Sequence, residues 1–390
     1  MSRLRGRLLV DGKLITGTVA WNGGHIVAVE LEGEIGGADL PIVAPGFIDL
    51  HVHGFGGFDP LDADGGLEGM ARALAAAGTT AFQPTLFPAA PEALGQHAEN
   101  VWTNAVRLGA RGARVVGIHL EGPFVNPKTA GALPIADLAL PSLAALRAIL
   151  GPATGDGRGV RTMTLAPELP GAADLVRELA RSHVRVSLGH SAATAAEARA
   201  AARDGACGAT HLFNAMAPLH HREAGLAGFA LTDAALACEL IGDLVHVGAE
   251  AIELALRARG PQSLCLVSDA LRGAGTGCDV FHAHGREHLV RAGTAYYPAR
   301  EAGGAPKLAG SAMSQLDMVR RLTTRGVIGV PEALTMATAA PAHALGIEDD
   351  AGVLRTGARA DFVVLRGPRL DLEEVWIGGV SQLTERAGTH

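Results

Sequence analysis

Residues 45–54 read PGFIDLHVHG: a Pro-Gly turn, a short apolar run, and two histidines two positions apart before a glycine. The run GFIDLHV (46–52) is too short for a helix and has the length of a buried strand, bounded by turn residues on both sides. Side chains alternate along a strand, so His51 and His53 point the same way. Two imidazoles delivered together at a strand end can share one metal ion. Alone, His-x-His is as often a packing feature as a ligand pair.

Working outward, seven further segments share this texture: TTAFQPTL (79–86), ARVVGIHL (113–120), VRTMTLAP (160–167), VRVSLGH (184–190), GATHLF (208–213), LACELIG (236–242) and SLCLVSD (263–269). Helical stretches separate them. Leu67, Met70 and Leu74 recur at helical spacing before Gly78, and Thr194 is placed to cap an Ala/Glu/Arg-rich helix that stops at Gly205. Strands alternating with helices are the signature of parallel βα units, and eight of them predict an α/β protein with a closed (β/α)8 TIM barrel. Outside the barrel, RLLV, GTVAW and HIVAVE are short runs broken by Asp-Gly and Asn-Gly-Gly turns, and GVLRTGARADFVVLRG and VWIGGV repeat that pattern near the other end. The expectation is one discontinuous β domain from residues 1–45 and 346–390, with the barrel at 46–345. Residues 272–310 are rich in Gly, Ala and His and are expected to form loops, with His282, His284 and His288 on the surface.

Composition narrows the function classes. Of 390 residues, 48% are hydrophobic and 19% charged, which fits a folded enzyme and excludes a disordered or coiled-coil chain. A net charge of −7 offers no basic stripe for a phosphate backbone, so no nucleic-acid partner is expected. No apolar run approaches a membrane span, and Leu8 to Val10 is too short for a signal-peptide core, so a cytoplasmic protein is expected, not a membrane one. Cys207, Cys238, Cys265 and Cys278 have no paired spacing and are read as reduced thiols.

Active sites of such barrels lie at the C-terminal strand ends. Here His51 and His53 close the first strand, Glu121 the third, His190 the fifth, His211 the sixth and Asp269 the eighth. Each alone has a bland reading: a core histidine, a carboxylate bonded to a turn, or, for Asp269, the N-cap of a helix beginning DALRG. Together they form a candidate metal site with a proton-transfer carboxylate. Imidazole and carboxylate donors without thiolate suit a first-row divalent ion, with zinc the expected one and iron, manganese or cobalt the alternatives. His119 is expected on the opposite face as a packing residue.

PGFIDLHVHG, GIHLEGPF, SLGHS, THLFNAM with PLHHRE, and LVSDA resemble, in this order, the motifs of the N-acetylglucosamine-6-phosphate deacetylases of the amidohydrolase superfamily. The resemblance implies a metal-binding barrel with a small β-sandwich domain formed by both termini. It implies Glu121, His190 and His211 as primary ligands, His51 and His53 completing a second site, one or two ions per subunit, and Asp269 as the catalytic acid/base. Strand four ends LAPE, without a lysine to bridge two ions, which leaves Glu121 for that role. It implies substrate contacts at Ala132, Asn214, Ala215, Arg222, His246, Leu308, Ala309 and Gly310. It also implies a small-molecule sugar phosphate as substrate and a homodimer in which the arginine serves a neighbouring subunit. Three features depart from the pattern: Leu133 stands where the family has a histidine, Asp243-Leu244 replaces Asp-Gly, and residues 272–300 differ. The expected reaction is hydrolysis of N-acetylglucosamine 6-phosphate to glucosamine 6-phosphate and acetate. The alternatives are another N-acyl substrate (N-acetylgalactosamine 6-phosphate, an N-acyl amino acid or a cyclic amide) and a barrel that binds sugar phosphate without turnover.

Overall fold

Strand-forming sequence and helix-forming sequence alternate from Phe47 onward, and the computed structural model, which describes residues 1–33, 39–109, 111–151, 157–299 and 306–383, follows that alternation strand by strand. The barrel strands are Phe47–Val52, Thr79–Leu86, Ile118–Glu121, Val160–Leu165, Arg185–Leu188, Ala206–Ala209, Ala237–Ile241 and Leu264–Val267, paired in sequence order. The expected third strand is broken, because Arg114–Val115 pairs beside the second strand before the chain resumes at Ile118. Closure comes from the first and eighth strands, where the Asp269 amide donates to the His51 carbonyl at 2.9 Å and the His53 amide to the Ala270 carbonyl at 2.9 Å. That closing seam runs through three of the candidate site residues.

Each barrel strand is followed by a helix that covers it, among them Gly66–Ala76, with Leu67, Met70 and Leu74 buried. Thr194 caps Ala195–Asp204 through a reciprocal capping box with Glu197, and Gly205 ends that helix in the left-handed conformation at φ 120°. Gly46, which opens the first strand, is required by space: a Cβ there would lie 2.1 Å from Thr80 Oγ1.

The two ends of the chain meet in one seven-stranded sheet in which Ile42–Pro45 lies between the strand Ser2–Val10 and the C-terminal strand Phe362–Arg366. Alternation divides its two faces. Leu9, Ile42, Ala44, Val363 and Leu365 pack against the barrel's apolar cluster, while Leu8, Val43, Phe362 and Val364 belong to a second cluster with Trp21 and Ile26. Among the described residues no helix is long and apolar enough to cross a membrane.

The segment after the eighth strand corrects one expectation. Residues 280–311 contain a four-stranded antiparallel sheet, Val280–Ala283, Arg286–Arg291, Thr294–Tyr297 and Lys307–Ser311, where loops were expected; residues 300–305 lie outside the described residues. His282 is exposed, but His288 is 1% exposed and stacks on Phe281 with centroids 4.7 Å apart. The strands are short and hairpin-linked, and their Gly and His content hid a two-residue alternation. The sheet joins the barrel at its mouth, since the Ser311 amide donates to the Asp269 carbonyl at 2.8 Å and the Leu271 amide to the Ser311 carbonyl at 3.0 Å.

Candidate active site

The barrel carries His51, His53, Glu121, His190, His211 and Asp269 to one point. His190 Nε2 and His211 Nε2 each lie 2.9 Å from Glu121 Oε1 and 3.0 Å from one another. On the other side of the carboxylate, His53 Nε2 is 3.3 Å from Glu121 Oε2, and His51 Nε2 is 3.2 Å from His53 Nε2. Asp269 Oδ1 closes the group at 3.6 Å from His51 Nε2 and 3.5 Å from His53 Nε2. The histidines and Glu121 are all buried. His51, His53 and Glu121 form one potential ligand set and Glu121, His190 and His211 another, sharing the carboxylate.

The outward-facing nitrogens decide what this cluster is for. His53 Nδ1 lies 3.1 Å from the Thr85 carbonyl and His190 Nδ1 3.0 Å from the Thr129 carbonyl. A carbonyl only accepts, so those nitrogens carry a proton, and a ring neutral in that tautomer aims its Nε2 lone pair inward. His51 is set likewise, with Nδ1 3.1 Å from Glu239 Oε2. Lone pairs facing one another at 3.0–3.2 Å around a carboxylate repel unless a cation lies among them. The donor set therefore fits a divalent ion with imidazole and carboxylate ligands.

The electrostatics agree. Burial opposes the charge on Glu121, yet the His51 and His190 imidazoles and the close approach of His190 and His211 Nε2 hold its carboxyl well below the usual range. Burial also works against a charged His51, but Glu121, Glu239 and Asp269 push it well above its ordinary value.

Backbone strain marks the same residues. His190, His211 and Asp269 have φ of 47°, 30° and 46°, the left-handed region, where a side chain typically costs about 1–3 kcal/mol. Asp269 does not cap a helix, as its alternative reading had it: the chain beyond it bridges to Val52 and Ser311. Glu121 is likewise no mere turn carboxylate. Gly189 lets the fifth strand approach the sixth, since a Cβ there would sit 2.8 Å from Thr210 Cβ.

The remaining sequence candidates fall into two groups. Asn214 and Ala215 form the turn after His211, with the Asn214 amide donating to the His211 carbonyl at 2.9 Å and the Ser191 amide to the Ala215 carbonyl at 3.0 Å. Ala132 adjoins Gly131, where an added Cβ would be 3.4 Å from His190 Cε1. Leu308, Ala309 and Gly310 run along the strand paired beside Asp269, and a Cβ on Gly310 would be 2.9 Å from the Asp269 carbonyl oxygen. His246 is largely buried; its Nδ1 is 2.7 Å from Asp243 Oδ2, and that hydrogen bond raises its pKa against the effect of burial. Arg222 is different: it is exposed on the His220–Glu223 turn beside His221.

Several contributors escaped the sequence reading. Glu239 is fully buried, and despite burial the His51 hydrogen bond brings its carboxyl down to about 2. Its signal was a lone charge inside the apolar run LACELIG. Asp49, pushed up to about 7 by burial, accepts the Ser268 amide at 3.1 Å and ties the first strand to the eighth. His119 does not face away from the site. Its ring meets His51 edge-on at 4.7 Å, and its Nε2 is 2.8 Å from Thr164 Oγ1, in the layer beneath the ligands. Positions 119 and 121 share a face by alternation, so the error was avoidable. Glu168, at the end of strand four, is taken up by Asn126, Ser191 and the Ala192 amide.

Comparison with known proteins bears on the family and the fold. The model of the amidohydrolase family matches residues 42–382. The chain is 35% identical to the N-acetylglucosamine-6-phosphate deacetylase of Homo sapiens over 96% of its own length and 93% of the human protein's. It is 34% identical, over 97% of both chains, to the N-acetylgalactosamine-6-phosphate deacetylase of Escherichia coli. An aspartate-to-alanine mutant of the N-acetyl-D-glucosamine-6-phosphate deacetylase of Mycobacterium smegmatis, solved in complex with N-acetyl-D-glucosamine-6-phosphate, superposes with a TM-score of 0.87 at 30% identity, covering 98% of this chain and 99% of that one.

Proposed function

This chain belongs to the amidohydrolase family, whose members depend on a metal, and from that premise we propose that it removes the acetyl group of N-acetylglucosamine 6-phosphate in amino-sugar catabolism, giving glucosamine 6-phosphate and acetate. One observation carries the reading: four inward Nε2 atoms and Asp269 surround the buried Glu121 carboxylate. Glu121, His190 and His211 would hold one ion, and His51 and His53, with Glu121, a second; zinc is the ion we assign. A divalent ion there supplies Lewis-acid polarisation of the amide carbonyl and a water pKa brought from about 15.7 toward 7. Glu239 holds the proton of His51 on Nδ1 so that Nε2 faces the ion, and the Thr85 and Thr129 carbonyls orient His53 and His190 in the same way. Asp269 accepts the proton of the attacking water and hands it to the departing amine, so one carboxylate serves both transfers. Asn214, Ala215 and His246 hold the sugar phosphate, the His246 imidazole, whose pKa Asp243 raises despite burial, suiting an anion. Arg222, exposed on its turn, reaches the phosphate in the neighbouring subunit of a homodimer, where a guanidinium matches phosphate geometry. The terminal sheet (1–45 and 346–390) and the barrel (46–345) act as two domains of a cytoplasmic enzyme.

A second sugar is supported by the 34% identity to an N-acetylgalactosamine-6-phosphate deacetylase. Acetate release by zinc-reconstituted protein separates the readings, with both N-acetylhexosamine 6-phosphates, unphosphorylated N-acetylglucosamine and N-acetyl amino acids assayed side by side. Preferential turnover of the phosphorylated glucosamine derivative is expected. Turnover confined to N-acetyl amino acids would overturn the sugar assignment and leave the hydrolytic centre intact.

A further inference from the structure

Phe87, immediately after the second barrel strand, lies flat on the ring of His53, with centroids 3.9 Å apart and planes 10° from parallel. His284, ion-paired with the buried Asp59 at 3.3 Å, meets Phe87 edge-on at 4.5 Å. A phenyl ring held by two imidazoles has little rotational freedom. Two apolar groups from different parts of the chain converge on it: Val125, Ala130 and Leu133 from the loop after the third strand, and Leu271, after the eighth strand, with Ala295 and Ala309 of the inserted sheet. The ring stays partly exposed while Leu133 and Ala309 are each 5% exposed. An apolar wall that includes Leu133 thus abuts one of the ligand-set histidines.

An amide whose carbonyl lies at the cluster sits beside His53 Nε2 and Asp269 Oδ1, which are 3.5 Å apart, so its acyl group is within reach of the phenyl ring stacked on His53. The acyl chain then falls on the apolar side. We infer that Phe87, with Leu133 and Ala309, is the acyl-specificity wall of this enzyme, accepting a short unbranched acyl group and setting its maximum length by the position of the phenyl ring. This rests on the deacylase reading above. Leu133 gives the wall an alkyl surface with no hydrogen-bond donor, so selection here is by size and not by polarity. Each methylene moved from water onto such a surface is worth roughly fourfold in binding, and each one that meets a fixed ring is rejected.

The test compares wild type, Phe87→Ala and Leu133→Ala, each shown by mass spectrometry to hold equal zinc. The kcat/KM values are measured for N-acetyl, N-propionyl and N-butyryl glucosamine 6-phosphate. Calorimetric titration with sodium acetate and sodium butyrate gives a second readout that needs no turnover. Opening the wall should raise the butyryl-to-acetyl ratio about tenfold in Phe87→Ala, and less but in the same direction in Leu133→Ala, with the two carboxylate affinities shifting in parallel. If Phe87→Ala fails to fold, Leu133→Ala, which leaves the His53 stack intact, decides. Unchanged ratios in folded, zinc-loaded variants overturn the inference even with acetyl turnover intact. Shifted carboxylate affinities without turnover of any sugar phosphate would uphold the wall and refute the substrate assignment.

Discussion

Replacing Glu239 by glutamine keeps the side-chain volume and removes one buried charge. Glu239 is 0% exposed, with Oε2 3.1 Å from His51 Nδ1 and Oε1 3.7 Å from Arg185 Nη1. Against the opposing effect of burial, the His51 hydrogen bond and the Arg185 charge bring its carboxyl from 4.5 to about 2, worth about 3 kcal/mol of preference for the ionised form. A glutamine can still accept the His51 Nδ1 proton, but a neutral acceptor gives about half the strength of a charged one. The ligand His51 therefore loses about 1.5 kcal/mol of orientation and basicity, which is about tenfold in metal affinity and the lower end of the 10–100-fold typical of such partners. Arg185 also loses its buried counter-charge, so stability falls by about a further 1–3 kcal/mol. Zinc occupancy of Glu239→Gln and wild type in chelator-buffered zinc, with circular dichroism to show folding, measures the first effect, and urea unfolding the second. A folded variant with unchanged zinc affinity would refute the claim that Glu239 sets the His51 ring.

Asp269→Asn in zinc-replete protein should lower kcat by about 10³-fold, within the range for a lost acid/base group, while substrate affinity measured by calorimetry stays within a few-fold. Chelation should lower Tm and rezincation restore it, because the lone pairs of four imidazoles are left facing one another; an unchanged Tm on full metal removal would contradict the repulsion inferred from the short N···N distances. The Asp243–His246 pair predicts a pH window. Asp243 is held below its ordinary range by the His246 hydrogen bond despite burial, so its contribution is present above about pH 4 and lost as pH falls through the depressed value. His246 is raised by Asp243 despite burial, so its contribution is present below about pH 6.5 and lost as pH rises through the raised value. Urea unfolding should show Asp243→Asn most destabilised between about pH 4 and 6.5, with the gap narrowing in alkali, and proton NMR should show the His246 pKa falling in the variant.

The barrel was legible because its strands are buried on both faces and read as continuous apolar runs, so eight runs between amphipathic helices admit few other folds. The meeting of the histidines and carboxylates at one point was legible because polar residues closing such runs have no packing reason to be there. Glu239 was harder, since it sits inside the run LACELIG and its reason, the outer nitrogen of His51, lies 188 positions away. The inserted sheet was missed because four short hairpin strands, with half their faces exposed, lack the apolar continuity that marks the barrel. Phe87 could not be assigned at all: a phenylalanine beside a proline has many uses, and only the fold lays its ring on His53. Leu133 was noticed as a departure, but whether it opened a polar gap or closed an apolar wall depended on Val125, Ala130 and Phe87 meeting it.

The strain at the site explains why the ligands leave the strands as they do. A strand ends pointing along the barrel wall, and a side chain that meets the cluster must lean over the axis; His190, His211 and Asp269 manage this by turning the backbone to positive φ as the strand stops. Together, at about 1–3 kcal/mol each, those turns cost several kcal/mol, which only a stiff surround can hold. The surround is polar where the ligands need it. His119, Thr164, Thr210 and Ser187 form a buried chain of hydrogen bonds of 2.7–2.8 Å beneath the cluster, and Asp49 bonds the first strand to the eighth across the closing seam. Because that layer fixes strand spacing, a substitution such as Thr164→Val, which removes the hydroxyl shared by His119 and Thr210, should relax the ligand geometry without touching a ligand. Zinc affinity should drop while far-ultraviolet circular dichroism stays the same, and equal affinity in Thr164→Val would show that the strand ends hold their strained turns without help from the layer below.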